Sequence, residues 1–570
     1  MTTVTVKVVP TTPYTDQTMG TSGLRKKVTV ATQPNYLSNF IEAIYRNLKN
    51  VSEATYVVGG DGRYLNSEAL QQIIAIGIAH KVPRFLVALN GRASTPAISC
   101  MIRAHKASGG FLLTASHNPG GPTCDFGLKV NNANGGPALK ELTDSIYATS
   151  KVLTEFSIAE LPEPVDTSKF GTTTYVTSDG SKTVVEVIDP VEDYVKMVKQ
   201  AFDFESISKY VKSTGLRAVI DSLNAVTGDY THRIFVEELG FPESALSNNV
   251  PKEDFGGGHP DPNLVYAKAL VDKMFSGNYD FGAAFDGDGD RNMILGKKFF
   301  VTPSDSLAIL TANYSKIRYF RENGFKGVAR SMPTSAAVDK VVARLAADGD
   351  VTLNFRETPT GWKFFGNLMD AGQLSLCGEE SFGTGCDLIR EKDGIWAALA
   401  WLSILAASNE NSDDVIGVEE IVRAHWKKFG RNYYSRYDYE EVSSDSANAM
   451  MKALEAKIPD LVGGKIPGMT FRGHKIVKGD NFEYVDPVDK SVTKGQGIRI
   501  FFDDGSRIIF RLSGTGSVGA TIRIYFDMYE NDVTRLDLDA QDALKELIQM
   551  ALTLADVEGF TGRKAPTVIT

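Results

Sequence analysis

From Leu37 onward, Phe40, Ile41, Ile44, Tyr45 and Leu48 recur at helical offsets, and a short β-branched segment follows at 55–58. The spacing predicts a helix and then a strand. The alternation continues with Leu70, Ile73 and Ile74 on a helix, a strand at 85–89, a helix opened by Thr95 as cap with Pro96 in its first turn, and a strand at 111–113. Helices and strands in this order predict an α/β layer on a largely parallel sheet.

The pattern restarts at 217–221, runs through a helix ending near Gly240, and reaches a strand at 279–285. It restarts again at Val328, with strands expected at 351–355 and 373–377, a helix at 361–369 and an apolar helix around 396–405. These are three units of similar size without a fixed period in residue identity. After Lys427 the pattern becomes alternating strands, including 498–502 and 507–512 joined through Asp503-Asp504-Gly505-Ser506, a hairpin signal. The expected domains are therefore three α/β units at 1–200, 201–318 and 319–427, and an α+β unit at 428–570.

Composition sharpens this picture. A chain of 570 residues, 42% hydrophobic and 23% charged, is long enough for several domains of about 100–200 residues each. The formal net charge of -9 argues against a nucleic-acid surface or a generic binder of anionic membranes, and leaves small anionic substrates open. Cys100, Cys124, Cys377 and Cys386 form no CxxC pair and accompany only 7 histidines, so neither a disulfide framework nor a zinc site is indicated, and a reducing cytoplasm fits. Met1-Thr2-Thr3-Val4 lacks a basic segment followed by an apolar core, and the apolar run 395–407 is too short to cross a bilayer. That run reads as a buried helix.

Two loops carry the chemistry. Thr114-Ala115-Ser116-His117-Asn118-Pro119-Gly120-Gly121-Pro122 presents a hydroxyl on a turn that glycine and proline force out of regular structure. Asp286-Gly287-Asp288-Gly289-Asp290 spaces carboxylates at alternate positions, suited to wrapping a hard divalent cation with oxygen. An EF-hand is excluded, because Arg291 stands at its sixth position and Lys297 at its twelfth. A metal needs oxygen beyond three aspartates, and a phosphoryl group on Ser116 would supply it while gaining electrophilicity. Serine and metal together point to phosphoryl transfer.

Four further stretches are weaker signals. Arg511-Leu512-Ser513-Gly514-Thr515-Gly516-Ser517, with Arg523 on the next strand, has the composition of an anion cradle. Gly378-Glu379-Glu380-Ser381-Phe382-Gly383 puts a carboxylate and a hydroxyl on one exposed loop, the inventory for gripping sugar hydroxyls. Thr358-Pro359-Thr360-Gly361 and Gly20-Thr21-Ser22-Gly23-Leu24-Arg25 read equally well as structural turns or ligand loops. Lys129 and Lys392 are by default solvated.

Taken in order, these six stretches resemble the motif series of the α-D-phosphohexomutase superfamily over nearly the whole chain. The wording TASHNPGGP, FDGDGDRNM, TPTGWKFFGNLMD, CGEESFGTG and RLSGTGSVGATIR is similar to that of its eukaryotic-type phosphoglucomutases. The resemblance implies four domains around a central cleft, three similar mixed-sheet α/β units plus a C-terminal α+β domain. It implies Mg²⁺-dependent interconversion of glucose 1-phosphate and glucose 6-phosphate through glucose 1,6-bisphosphate. By motif match, Ser116 carries the phosphoryl group and joins Asp286, Asp288 and Asp290 at the metal, and Arg291 neutralises charge, with His117 and Lys129 as candidates for proton handling and the base unassigned. Glu379 and Ser381 hold sugar hydroxyls, and Arg511, Ser513, Gly514, Thr515 and Arg523 clamp the idle phosphate. Arg25, Thr360 and Lys392, with Thr21 beside them, complete the substrate contacts, which also include Ser116, Asp290 and Arg291.

Departures from the pattern fall at Ser222-Leu223-Asn224-Ala225 and Gly256-Gly257-Gly258-His259, where relatives often carry an additional histidine. The nearest rivals are a phosphomannomutase or bifunctional hexose mutase, disfavoured by Phe382 where bacterial relatives tend to place histidine, a metal-dependent phosphatase, and a catalytically silent interaction protein. The expected partners are small sugar phosphates, with no nucleic acid and no membrane span. Monomer and dimer both remain open.

Overall fold

In the computed structural model of the chain, the helix and strand alternation becomes sheets layered with amphipathic helices. The structure describes residues 1–20, 23–349, 353–412, 414–462, 464–466, 468–513 and 519–570. Its contacts fall into two compact units, one of residues 1–301, 313–326 and 361–418, the other of 302–312, 327–360 and 419–570.

The first unit holds a nine-stranded sheet of β1 (Thr2–Pro10), β2 (Leu24–Lys27), β3 (Thr55–Gly60), β4 (Arg84–Arg92), β5 (Gly109–Leu113), β6 (Asp125–Asn132), β7 (Glu155–Glu160), β8 (Gly171–Thr177) and β9 (Lys182–Ile188), in the order β2-β6-β5-β3-β4-β9-β8-β1-β7. Alternate strand residues serve opposite faces. Tyr56, Val58, Phe85 and Phe111 meet Phe40, Ile41, Ile73 and Ile74 from helices Tyr36–Asn47 and Asn66–Ala79. On the other face, Val57, Leu86 and Leu112 meet Ile98, Met101 and Ile102 from helix Thr95–Ala104. Each such side chain, once buried, contributes about 1.5–3 kcal/mol.

The expected largely parallel sheet is mixed. β5-β3-β4-β9 run parallel, as do β1 and β8, whereas β6 returns antiparallel to β5, β2 to β6, β8 to β9 and β7 to β1. The threonine-rich β8 exposes much of its length, so apolar periodicity does not announce it.

A second sheet, ordered β11-β10-β12-β13-β14, comprises β10 (Ala218–Asp221), β11 (Leu246–Ser247), β12 (Phe281–Phe285), β13 (Asn292–Gly296) and β14 (Phe299–Val301). The turn from β12 into antiparallel β13 is the acidic loop. In the second unit, β15 (Gly327–Ser331) pairs in parallel with β16 (Asn354–Thr358). In the first, β17 (Leu376–Glu379) and β18 (Gly383–Cys386) form a hairpin. The apolar helix Gly394–Asn409 is buried on all sides and N-capped by Asp393, as its uniform hydrophobicity demands.

The second unit also contains a seven-stranded sheet ordered β20-β21-β24-β25-β26-β19-β27, from β19 (Arg431–Val442), β20 (Thr470–Phe471), β21 (His474–Asn481), β24 (Ile498–Phe502), β25 (Arg507–Ser513), β26 (Ala520–Glu530) and β27 (Val568–Ile569). A separate ribbon joins β22 (Tyr484–Val485) to β23 (Val492–Thr493). Helices Ser444–Val462 and Ala540–Ala555 cover the large sheet with Met450, Leu454, Leu544 and Leu547. β24 and β25 form the expected hairpin.

Three local expectations shift. The strand expected at 351–355 is β16, three residues later, with 350–352 outside the described residues. The strand expected at 373–377 starts at Leu376, because the N–H groups of Gly372 and Gln373 close the preceding helix on the carbonyls of Met369 and Leu368. The cap of helix Thr95–Ala104 is Ser94, whose hydroxyl accepts from the Ala97 N–H at 3.2 Å. Thr95 is thereby released for another partner.

Candidate active site

The central parallel strands of the nine-stranded sheet end side by side, so the residues that follow them lie at a common edge, where ligands of α/β sheets bind. Asp61-Gly62-Arg63 follows β3, Ser94-Thr95 follows β4 and Thr114-Ala115-Ser116 follows β5.

Ser116 sits there with φ of 54°, a left-handed conformation uncommon for a residue with a Cβ, and is 4% exposed. Its amide donates to Thr114 Oγ1 at 2.8 Å, and the Thr114 hydroxyl donates to Asp61 Oδ2 at 2.6 Å. Arg63 donates to the carbonyls of Ser116 at 2.8 Å, Asn118 at 3.2 Å and Asp125 at 2.9 Å, while its Nε holds Asp61 in a fully buried ion pair at 2.8 Å. The strained serine is therefore locked by a network two strands wide.

The Ser116 hydroxyl donates to Asp286 Oδ2 at 3.2 Å and lies 3.3 Å from His117 Nδ1. Asp286, Asp288 and Asp290 are each buried, and one oxygen from each falls within 4.8 Å of the others. Thr95 donates to Asp288 Oδ2 at 2.7 Å and the Arg291 amide to Asp286 Oδ1 at 3.0 Å. Asp288 Oδ1 and Asp290 Oδ1 are buried with no hydrogen-bond partner. Unsatisfied carboxylate oxygens converging at this depth fit a hard divalent cation. The electrostatics agree: burial, then the charges of Asp288 and Asp290, push the Asp286 carboxyl well above its ordinary value. Burial also works to raise Asp288, but Lys129, the Thr95 hydrogen bond, Lys392 and Arg25 together bring it below.

The cations expected nearby are present, Lys129 buried and Lys392, Arg291 and Arg25 partly buried. Lys392 Nζ lies 3.2 Å from Asp290, Arg291 Nη1 3.7 Å from Asp261, and Lys129 Nζ 3.1 Å from Glu391. Neither lysine is the solvated residue that sequence defaults suggest; Lys129 is 7% exposed. Arg25, on β2 opposite Gly127, is lowered by burial and by the charge of Arg291. Burial, then Arg291, Arg25, His259 and Lys392, depress His117 well below the usual imidazole value and hold it neutral.

Glu379 differs from the exposed loop expected: it ends β17, is 6% exposed, and accepts from the Gly361 N–H at 3.3 Å. Burial raises its carboxyl. Ser381 stands in the hairpin turn, whose next residue, Phe382, accepts from the backbone and side-chain amides of Asn292 at 2.9 and 3.2 Å. The turn is thus pinned to the strand leaving the acidic loop. Thr360, Arg511, Ser513 and Arg523 belong to the second unit. There Arg511 and Arg523 are register partners on β25 and β26, and Thr360 Oγ1 is buried without a partner. Thr21, Gly514 and Thr515 lie outside the described residues.

Sequence reasoning missed Asp61, Arg63 and Thr95. The available signal was Asp61-Gly62-Arg63 at the end of a predicted parallel strand, the place where site residues gather. Gly287 shows how tightly the two loops meet, since a Cβ there would lie 2.3 Å from the Ser116 carbonyl oxygen. Gly287→Ala is expected to cost about 1–3 kcal/mol through overpacking and to displace the Ser116 loop. Turnover and melting temperature, measured together, should both fall.

This geometry defines a class: a buried hydroxyl beside a buried aspartate triad that could hold a metal ion, at the edge of an α/β sheet and ringed by arginine and lysine. Family models describe most of the chain. Phosphoglucomutase/phosphomannomutase α/β/α domains I, II and III match residues 16–155, 192–298 and 303–429, and the phosphoglucomutase-1 C-terminal domain matches 431–567. The chain belongs to the phosphoglucomutase/phosphomannomutase family, with three α/β domains followed by a C-terminal domain. Within it, a probable cytoplasmic phosphoglucomutase of Arabidopsis thaliana is 54% identical over 588 residues, covering 99% of each chain. Phosphoglucomutase-1 of Dictyostelium discoideum is 52% identical over 575 residues, again covering 99% of each. The open-form crystal structure of the Paramecium exocytosis-sensitive phosphoprotein pp63/parafusin, a phosphoglucomutase, superimposes with a TM-score of 0.91 at 47% identity, covering 100% of both chains. Among the described residues no helix is long and apolar enough to cross a membrane.

Proposed function

We propose that the chain is a phosphoglucomutase, interconverting glucose 1-phosphate and glucose 6-phosphate by way of a phosphorylated Ser116 and a glucose 1,6-bisphosphate intermediate. The observation that carries this reading is the contact of Ser116 Oγ with Asp286 inside a carboxylate triad in which Asp288 Oδ1 and Asp290 Oδ1 are buried and unpartnered. Asp286, Asp288 and Asp290 would hold Mg²⁺, which supplies charge neutralisation and polarisation of a phosphoryl oxygen. The division at residues 200, 318 and 427, and a cytoplasmic location like that named for the Arabidopsis and Populus relatives, belong to the same reading.

Phosphorylated Ser116 gives its phosphoryl group to the free hydroxyl of a bound monophosphate: the Ser116 O–P bond breaks, a sugar O–P bond forms, and the hydroxyl proton leaves. The reverse transfer from the other phosphate of the bisphosphate regenerates phosphoserine, so phosphate is not consumed. His117, neutral and within proton reach of Ser116 Oγ, and Lys129 are the candidates for moving that proton. Arg291, with Lys392 and Arg25, offsets charge on the transferring group. Glu379 and Ser381 orient the sugar hydroxyls. Arg511, Ser513, Gly514, Thr515 and Arg523 hold the phosphate that is not reacting, and Thr360 makes a further contact to the bound sugar phosphate.

The test is Mg²⁺-dependent conversion of glucose 1-phosphate to glucose 6-phosphate with catalytic glucose 1,6-bisphosphate, with free phosphate assayed in parallel. Conversion with little phosphate release is the expected result. Stoichiometric phosphate release would make the protein a phosphatase, and absence of turnover on both glucose and mannose phosphates would overturn the mutase reading.

A further inference from the structure

Glu357, on β16 immediately before Thr358-Pro359-Thr360, is surrounded by arginine. Its Oε1 accepts from Arg330 Nη1 at 2.8 Å and Arg507 Nη1 at 3.2 Å, and its Oε2 from Arg499 Nη1. Arg330 faces Glu357 directly across the parallel β15–β16 pair. Arg499 and Arg507 come from β24 and β25. The three guanidinium side chains are 4%, 7% and 2% exposed.

Each arginine is also tethered away from Glu357. Arg330 grips Asp339 through two nitrogens at 2.6 and 2.7 Å, and Arg499 grips Asp480 at 2.7 and 2.8 Å. Arg507 donates to Asp527 at 2.8 Å, to the Met332 carbonyl at 3.1 Å and to the Thr334 carbonyl. Burial pushes the Glu357 carboxyl up, yet Arg330, Arg507 and Arg499 overcome it and hold it at about 2. It remains an anion at every pH at which the protein would work.

What this anchor joins is specific. Thr358, one residue beyond Glu357, accepts from the Met332 N–H at 2.7 Å, and two residues further on Thr360 has a buried hydroxyl with no partner. On the other side, Arg511 follows Arg507 on the same face of β25, and Gly497 packs where a Cβ would meet both Arg511 Cγ at 2.6 Å and Met332 Cε at 3.1 Å. Thr360 and Arg511 are thus held in one compact unit through Glu357, its arginines and the Met332 segment.

We propose that Glu357 is a positioning residue for phosphosugar binding: by bonding three arginines it fixes the Thr358–Pro359–Thr360 turn at one spacing from the strand that carries Arg511. This rests on the mutase reading, in which Thr360 and Arg511 both contact the sugar phosphate. Glu357 touches no reacting atom. Its loss therefore weakens binding of ground and transition states alike, which appears in KM and leaves kcat nearly unchanged.

The experiment compares Glu357→Gln with wild type for KM, kcat, melting temperature and calorimetric affinity for glucose 1-phosphate. The expected result is a KM and a dissociation constant raised about tenfold, with kcat within about threefold of wild type. A lowered melting temperature with unchanged KM and affinity would assign the cluster to stability alone and overturn the proposal, as would a fall confined to kcat. If Glu357→Gln does not fold, Glu357→Asp serves, because its carboxylate is drawn back by one methylene and cannot reach all three arginines. Its KM is expected to rise about threefold, and an unchanged KM overturns the proposal. Wild type separates the two failures: turnover by wild type with an indifferent variant rejects only the positioning role, whereas no turnover and no binding by wild type rejects the mutase reading and the proposal together.

Discussion

In the Ser116→Ala variant, turnover is expected to fall by on the order of 10⁴ to 10⁶, the scale seen when the group that forms the covalent intermediate is removed. The fold should survive, because the locking contacts of the loop run through its backbone. The Ser116 amide still finds Thr114 and its carbonyl still finds Arg63. Only the hydroxyl contacts to Asp286 and His117 are lost, so the melting temperature should move by no more than a few degrees, equivalent to about 1 kcal/mol.

The same variant tests the covalent step independently of turnover. Wild type incubated with glucose 1,6-bisphosphate should acquire one phosphoryl group by intact-protein mass, located on the Ser116 peptide, and Ser116→Ala should acquire none. Retention of the label, or more than about 1% residual turnover, would place the covalent phosphate on another residue. Adding bisphosphate cannot rescue the variant. It should restore a dephosphorylated wild type.

Local spacing made the serine turn and the acidic loop legible in sequence, because each places its chemistry within a few consecutive residues. What escaped depends on sheet order. Asp61 meets Thr114, and Arg63 meets Ser116, across 53 residues only because β3 and β5 are neighbours in the sheet. Thr95 looked like a helix cap, and the true cap at Ser94 leaves its hydroxyl to orient Asp288. Lys129 alternates on β6 with Leu128 and Val130, yet it is buried because Glu391, 262 residues away, supplies a counter-charge. The core strands were legible because buried parallel strands are continuous apolar runs, whereas β8, with its run of threonines, is half-exposed and carries no such mark. Glu357 gave no signal of its own, since its three arginines are distributed over three strands.

Arg63→Met is expected to reduce both stability and turnover, and the two effects can be pulled apart. The substitution leaves Asp61 buried without its ion-pair partner, and removing one member of such a pair costs about 3–5 kcal/mol. The first unfolding transition should drop by about 6–10 °C. It also strips the carbonyls of Ser116, Asn118 and Asp125 of their shared donor, and it removes the guanidinium that lies 5.1 Å from the Phe255 ring centre. A loop holding a serine at positive φ then loses the contacts that over-determine it, and a shift of about 1 Å in the hydroxyl would lower kcat about 10²-fold. Pairing the change with Asp61→Asn removes the stranded charge. The double variant should recover much of the melting temperature, because replacing both members of a buried ion pair is far less costly than replacing one. Its kcat should stay low, because the three loop carbonyls remain unheld whatever the charge at residue 61. Recovery of kcat in parallel with melting temperature would show that Arg63 acts on stability alone, and that the conformation of Ser116 is maintained by Thr114 and the glycine contacts around it.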